Sequence, residues 1–274
     1  MKFGAVDIGA EELLGAIAAH TLRLRKGLGV VKKGRLLSRS DIERLRQSGY
    51  ERITVARLEP GDVHENAAAE ALAASIAGPS VSFSKGTTGR CNLHAAHAGL
   101  VKLDAEQIHA ANAIAESMTV ATLPPNALVR PGAMIATVKV IPFAVPESQL
   151  EAWLRVFATG EPGLHVTPLK SFQAGLVLTK LPGLSTELMD RASLAQRARL
   201  ERLGSRIGRE VRCEHSEEAV ARAIRTLHEE GYNPILLLGA SAIVDRGDVI
   251  PQGLLKAGGE LVHFGCLLYT SPSP

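Results

Sequence analysis

The hydrophobic pattern is most regular after residue 173, where short apolar runs alternate with segments of helical period. AGLVLTKL (174–181), IGREVRC (207–213) and ILLLG (235–239) read as strands. Between them, Asp190 to Leu203 reads as a helix that stops at Gly204. Ser216 is placed to cap the next helix, with Glu217 and Glu218 in its first turn. Val220, Ala223, Ile224 and Leu227 share one face of that helix before Gly231, and Asn233-Pro234 then turns the chain. ILLLG is apolar on both faces, as expected of a central strand of a parallel sheet. A helix from about Val249 to Ala257 and a strand ELVHFG (260–265) complete the series.

Strands alternating with helices predict parallel neighbours joined by right-handed crossovers. The expectation for 171–265 is therefore an α/β domain, a three-layer sandwich with a mostly parallel sheet. Residues 1–170 read as an α+β region. Its first residues, MKFGAVDIGAEELLGAIAAH, are expected to form an amphipathic helix. Residues from about 119 to 145 place Pro and Gly turns between β-rich runs, which suggests a small β-rich subdomain. Trp153 begins no recognisable cofactor box and reads as a packed side chain.

Ligands of parallel sheets bind beyond the carboxyl ends of the strands. The run ILLLG ends in such a place, and the loop after it carries Ser241, Asp245 and Asp248. Gly239 allows close backbone approach and Ser241 offers a hydroxyl. Asp245 and Asp248 have the chemistry to hold a hydrated magnesium ion or to accept bonds from amino groups of a heterocycle. Other uses compete: Asp248 is also placed to cap the helix that follows, and Asp245 also fits a solvated loop.

Composition narrows the class. The 274 residues are 46% hydrophobic and 22% charged, enough for a buried core and about two domains. A net charge of +3, with basic residues spread along the chain, points to no nucleic-acid partner. Cys91, Cys213 and Cys266 are far apart and form no paired framework, which suits a reducing cytoplasm. Asp7, Glu11 and Glu12 interrupt what a signal peptide needs, and no apolar run is long enough to span a membrane. A soluble, cytoplasmic protein is expected.

Two segments of the middle region invite chemistry. FSKGTTGRCNLHAAHAGL (83–100) puts a Gly/Thr turn and Arg90 ahead of an expected helix, where free amides could receive an anion; a plain capped turn is the alternative. Cys91, His94 and His97 could face one side of that helix as zinc ligands, but no fourth ligand of matching spacing lies nearby.

From about Ala174 to Gly265 the chain resembles the molybdopterin-binding domain shared by molybdopterin molybdotransferase and molybdopterin adenylyltransferase. GASAIVDRGDVIP (239–251) is the matching stretch, with Gly239, Ser241 and Asp248 at the motif positions. LVLTKLPG and LMDRAS are a weaker match, in which Thr179 stands where the family has a Thr-Gly-Asp/Asn-Glu loop and Asp190 where it has Asp-Ser-Asn. GVVKKGRLLSRSDIERLRQSGYERITV (29–55) is similar to a stretch of the molybdotransferase, and TTGRCNL and ATVKVIPFAVP resemble segments of its bacterial molybdopterin-binding subfamily. The resemblance implies a cytoplasmic bacterial protein that binds molybdopterin or its adenylated form in molybdenum-cofactor biosynthesis or delivery. Thr179, Asp190, Gly239, Ser241, Asp245 and Asp248 would surround the ligand, with magnesium on Asp245 and Asp248. It also implies a homo-oligomer, and a nucleotidyltransferase domain or a molybdoenzyme as partner.

Departures from the family bear on catalysis. Lys180-Leu181-Pro182-Gly183 replaces its acidic loop, Ala240 its second glycine and Ala192 its asparagine. Binding without turnover is the leading expectation. A magnesium-dependent adenylyl- or molybdotransferase and a non-catalytic assembly scaffold are the alternatives. The last residues, CLLYTSPSP (266–274), look like a translated sequencing-adapter tail, the other reading being a flexible terminus; the first implies a domain cut short after Gly265.

Overall fold

Strands, not a helix, open the chain in the computed structural model, which describes residues 1–158, 162–183 and 185–264. The first elements are β1 (Lys2–Asp7), a 3-10 turn (Glu11–Leu13), β2 (Ile17–Ala18), β3 (Leu22–Arg23), β4 (Val30–Val31), α1 (Arg39–Gln47) and β5 (Arg52–Arg57). The amphipathic helix expected at the N-terminus is thus corrected. β1 pairs antiparallel with β5 from Lys2↔Arg57 to Asp7↔Arg52. Ala16 to Ala19 are buried consecutively, which no single helix face can do, and Gly15 turns the chain at φ +79°. Leu13, Val31, Leu37, Leu45 and Val55 form the core beneath.

The chain continues through β6 (Asp62–His64), α2 (Glu65–Ile76), β7 (Val81–Phe83), β8 (Arg90–Ala95), β9 (Gly99–Leu103) and α3 (Ala105–Asn112). It then forms β10 (Met118–Thr122), β11 (Leu128–Val129), β12 (Met134–Val140), β13 (Ala144–Pro146), α4 (Glu147–Val156) and β14 (Leu164–Pro168). These strands make antiparallel sheets ordered β10-β12-β8-β7 and β11-β9-β14, with β13 on β6. The β-rich run at 119–145 therefore ladders within itself and with strands that precede it in the chain. Ala68, Ala69, Leu72, Ala73 and Ile76 of α2 are buried, and Trp153 of α4 is fully enclosed in the same core.

The helix expected after the Gly/Thr turn is instead β8. Cys91, Leu93 and Ala95 are buried while Asn92 and His94 are only half-buried, a period of two. His94 and His97 therefore share no helix face, and among the described residues no three His, Cys, Asp or Glu side chains gather as a metal site. The turn itself is a two-residue hairpin at Thr88-Gly89, both at positive φ. Four of its amides are spent: Gly86 N–H goes to Glu70, Gly89 N–H to Asn66, and Thr87 and Arg90 bond each other's carbonyls. No cradle of free amides forms there.

The chain divides into two compact units, Met1–Pro168 and Leu169–Pro274. The second contains β15 (Gln173–Lys180), α5 (Thr186–Glu201), β16 (Arg206–Glu214), α6 (Glu217–Glu229), β17 (Ile235–Leu238) and α7 (Val249–Lys256). Its sheet is parallel, in the order β16-β15-β17. Leu176 and Leu178 pack with Met189 of α5, while Val177 faces Ala223 and Leu227 of α6. Each such leucine, fully buried, contributes roughly 1.5–3 kcal/mol. Val220 and Ile224 of α6 also meet Ile250 of α7. Ser216 caps α6 as expected, and Gly204 and Gly231 end α5 and α6 at positive φ.

Two expectations fail in this unit. β15, with six consecutive buried residues, is the central strand, whereas β17 lies at the sheet edge and is only half-buried. Residues 260–264 form no strand, since they join no ladder, and Val262 is 85% exposed. Apart from an isolated parallel bridge between Ala77 and Leu164, parallel pairing among the described residues is confined to these three strands, so the chain as a whole is mixed α and β with several small sheets. The proposed tail, 266–274, and Cys266 lie outside the described residues. No helix among the described residues is long and apolar enough to cross a membrane.

Candidate ligand-binding site at the strand ends

Parallel pairing sends the ends of β15, β16 and β17 to one edge of the sheet, so their following loops meet. Thr179 is the last buried residue of β15, with 3% exposure. Its Oγ1 accepts the Ala240 N–H at 2.8 Å and lies 2.8 Å from Nδ1 of His215, the residue that follows β16. His215 Nε2 in turn lies 3.3 Å from Ser241 Oγ. Loops from all three strands are thereby tied by one chain of hydrogen bonds.

One arrangement of protons satisfies the network and leaves a donor free. With Ala240 N–H already bonded to Thr179 Oγ1, the threonine hydroxyl proton is free to go to His215 Nδ1. In the tautomer with its proton on Nε2, His215 donates to Ser241 Oγ and the serine hydroxyl proton stays available to a ligand. Gly239 fits this corner closely. A Cβ there would lie 3.0 Å from Ser241 O and 3.3 Å from Ile250 Cγ1.

Two openings flank Thr179 and His215. One, of about 430 Å³, is lined by Lys180, Leu181, Pro182, Gly183, Glu214, His215 and Ser216. The other, of about 130 Å³, is mostly apolar, with Leu178, Leu188, Met189, Ala192 and Leu238 beside Thr179 and Gly239. A polar opening next to an apolar slot suits a flat heterocycle carrying a charged substituent. A groove of about 750 Å³ lies in the other unit around Lys102, Gln107 and His165, and contains none of the candidate residues.

The acidic residues are used differently from one another. Asp248 precedes α7, yet it makes no side-chain bond to that helix. Its Oδ2 accepts the N–H groups of Val244 at 2.6 Å and Asp245 at 2.9 Å, and these amides hold its carboxyl below the usual carboxylate range. The helix-capping alternative thus gives way to a carboxylate that shapes its own loop. Asp245 Oδ1 accepts Gly247 N–H at 2.7 Å. Each aspartate has one oxygen committed, and no third acidic, imidazole or thiol group joins them among the described residues. These side chains do not by themselves furnish a magnesium site. Asp190 is exposed on α5 and pairs with Arg212 of β16 at 2.7 Å, apart from the Thr179–His215–Ser241 chain. Thr179, Gly239 and Ser241 are therefore brought together, Asp245 and Asp248 share the loop beyond them, and Asp190 is not part of the cluster.

His215 is the residue that sequence reasoning missed. Its position carried a signal, because it directly follows a strand and precedes the N-cap Ser216 in a parallel unit.

Residues 7–57 match a domain of unknown function, DUF8806. That match covers the last residue of β1 through β5 and includes none of the strand-end residues. No curated protein and no solved structure matches the chain.

Proposed function

We propose that the unit from residue 169 binds molybdopterin or its nucleotide form, in the manner of a molybdotransferase-like carrier. The observation that supports this most is the hydrogen-bonded chain from Thr179 through His215 to Ser241 at the joined strand ends. Lys180 and His215 line the polar opening, where a phosphate group would sit, and the apolar slot beside Thr179 and Gly239 would take the ring system. Helices against both faces of the parallel sheet agree with a molybdopterin-binding α/β domain. Thr179, Gly239, Ser241, Asp245 and Asp248 are assigned to the ligand; His215 orients Ser241.

Binding is favoured over turnover by the loop chemistry. Lys180-Leu181-Pro182-Gly183 provides no carboxylate, and Asp245 and Asp248 lack a third partner for a metal. The proposal is tested by titrating molybdopterin into the full chain and following pterin fluorescence. Ser241→Ala combined with Asp248→Ala is expected to weaken binding about tenfold or more, as for a lost hydrogen bond to a charged group. Equal affinity in wild type and double variant would refute the assignment.

A further inference from the structure

Two turns with no part in the strand-end site, Lys32-Lys33-Gly34 and Thr87-Thr88-Gly89, close on one side chain, Glu65. A Cβ on Gly34 would lie 3.9 Å from Glu65 Oε1, and one on Gly89 would lie 2.8 Å from Glu65 Oε2 and 3.1 Å from Lys139 Nζ. Both glycines have positive φ, 81° and 67°. The same Cβ would collide with Val140 O, so the hairpin's close approach to β12 itself demands glycine, and the carboxylate and the ammonium group both border that bare backbone.

Glu65 is only 6% exposed. Its backbone N–H is bonded to Phe143 O, but its carboxylate makes no hydrogen bond or ion pair among the described residues. The side-chain atoms that are both sealed from water and unpaired are Trp153 Nε1 and His165 Nδ1, so the Glu65 oxygens keep an edge open to solvent. A carboxylate desolvated this far without a partner is costly unless something supplies the missing donor.

The surroundings are cationic. Lys139, His64 and Lys33 act on Glu65 electrostatically, and Arg90 and Lys33 act on Lys139. Lys139 Nζ donates to Thr88 O, and Lys33 stands 5.5 Å over the Phe143 ring. Burial pushes the Glu65 carboxyl up and the Lys139 ammonium down. Lys33, Arg90 and Lys139 against one carboxylate leave a cationic excess that matches an anion, and the carboxylate itself calls for a hydroxyl donor.

We propose that Glu65, Lys33, Arg90 and Lys139 form a binding site for a hydroxyl-bearing phosphate monoester. The cations take the phosphate, Arg90 with its planar fork and the lysines as point charges. Glu65 accepts the ligand's hydroxyl. The site is separate from the strand-end cluster and owes nothing to the pterin reading.

Titration calorimetry on the full chain tests it, with glycerol 3-phosphate as ligand and methyl phosphate as the analogue without a hydroxyl. Saturable binding of glycerol 3-phosphate is expected, about tenfold tighter than methyl phosphate. Glu65→Gln should remove most of that discrimination, and Lys139→Gln should weaken both ligands about tenfold. Lys33→Gln and Arg90→Gln, at exposed side chains, give a second set should the buried variants fail to fold. Ser241→Ala should leave the binding unchanged. Absence of saturable binding at millimolar ligand, equal affinity for the two esters, or indifference to all four substitutions would overturn the proposal.

Discussion

Two aspartates stand at helix starts in the two units, and the molecule uses them in opposite ways. Asp41, in the first turn of α1, is completely buried. It accepts the N–H and hydroxyl of Ser38 at 3.1 and 2.7 Å and Arg35 Nε at 2.9 Å, and pairs with Arg44 as well. Ser38 Oγ returns a bond by accepting Asp41 N–H, which completes a capping box. Asp248 is bound on one oxygen by its own loop and leaves the other uncommitted. Position at a helix start thus does not decide a carboxylate's role; the number of its lone pairs already taken does.

The contrast can be broken most directly at Asp41. Asp41→Ala removes a cap and a buried ion-pair partner, and is expected to cost about 2–3 kcal/mol; Arg35 and Arg44 can turn to water, which keeps the loss below that of a fully buried pair. Urea unfolding measures it, and a loss under about 1 kcal/mol would erase the distinction. The same site sets a pH dependence. Burial alone would raise the Asp41 carboxyl, but Ser38 and the two arginines outweigh it and hold the folded value well below the ordinary range. A depressed folded value means that this stability is complete above the unfolded value and drains away as pH falls below about 4. Asp41→Asn should show a shallower acid slope than wild type, and parallel slopes would contradict the assignment.

Smaller effects sharpen the comparison on the other side. Thr179→Val leaves Ala240 N–H and His215 Nδ1 without a partner, costing roughly 1–2 kcal/mol together with weaker ligand binding. Ser38→Ala should cost about 1 kcal/mol, a typical cap loss. Asp248→Ala should move the unfolding midpoint least while still lowering pterin affinity. A midpoint shift as large as that of Asp41→Ala would show that Asp248 serves the fold instead.

Much of the second unit was legible because its signals are local. The Ser216 cap, the Val220–Ala223–Ile224–Leu227 face and the glycine stops at 204 and 231 are all found where the sequence puts them. Strand order is not local, so an apolar ILLL did not reveal that it would lie at an edge, nor that 260–264 would join no ladder. The first unit was harder for the same reason. Its short strands pair across distances such as Lys2 to Arg57, and small apolar residues like Ala16 to Ala19 carry no clear period. At the candidate site, Gly239 and Ser241 were readable from the loop pattern and Thr179 only through the family resemblance, whereas His215 required knowing that β16 lies beside β15. Glu65 was hidden entirely, since Gly34 and Gly89 converge on it only after folding.

β16 and β17 each pair with β15 and not with each other. The second unit consequently has a single seam: amides along Leu176–Leu178 alternate between the two ladders, so freeing all of them requires releasing both. Deuterium uptake there should be the slowest of this unit, and any lesion in that strand would loosen the three loops around Ser241 at once.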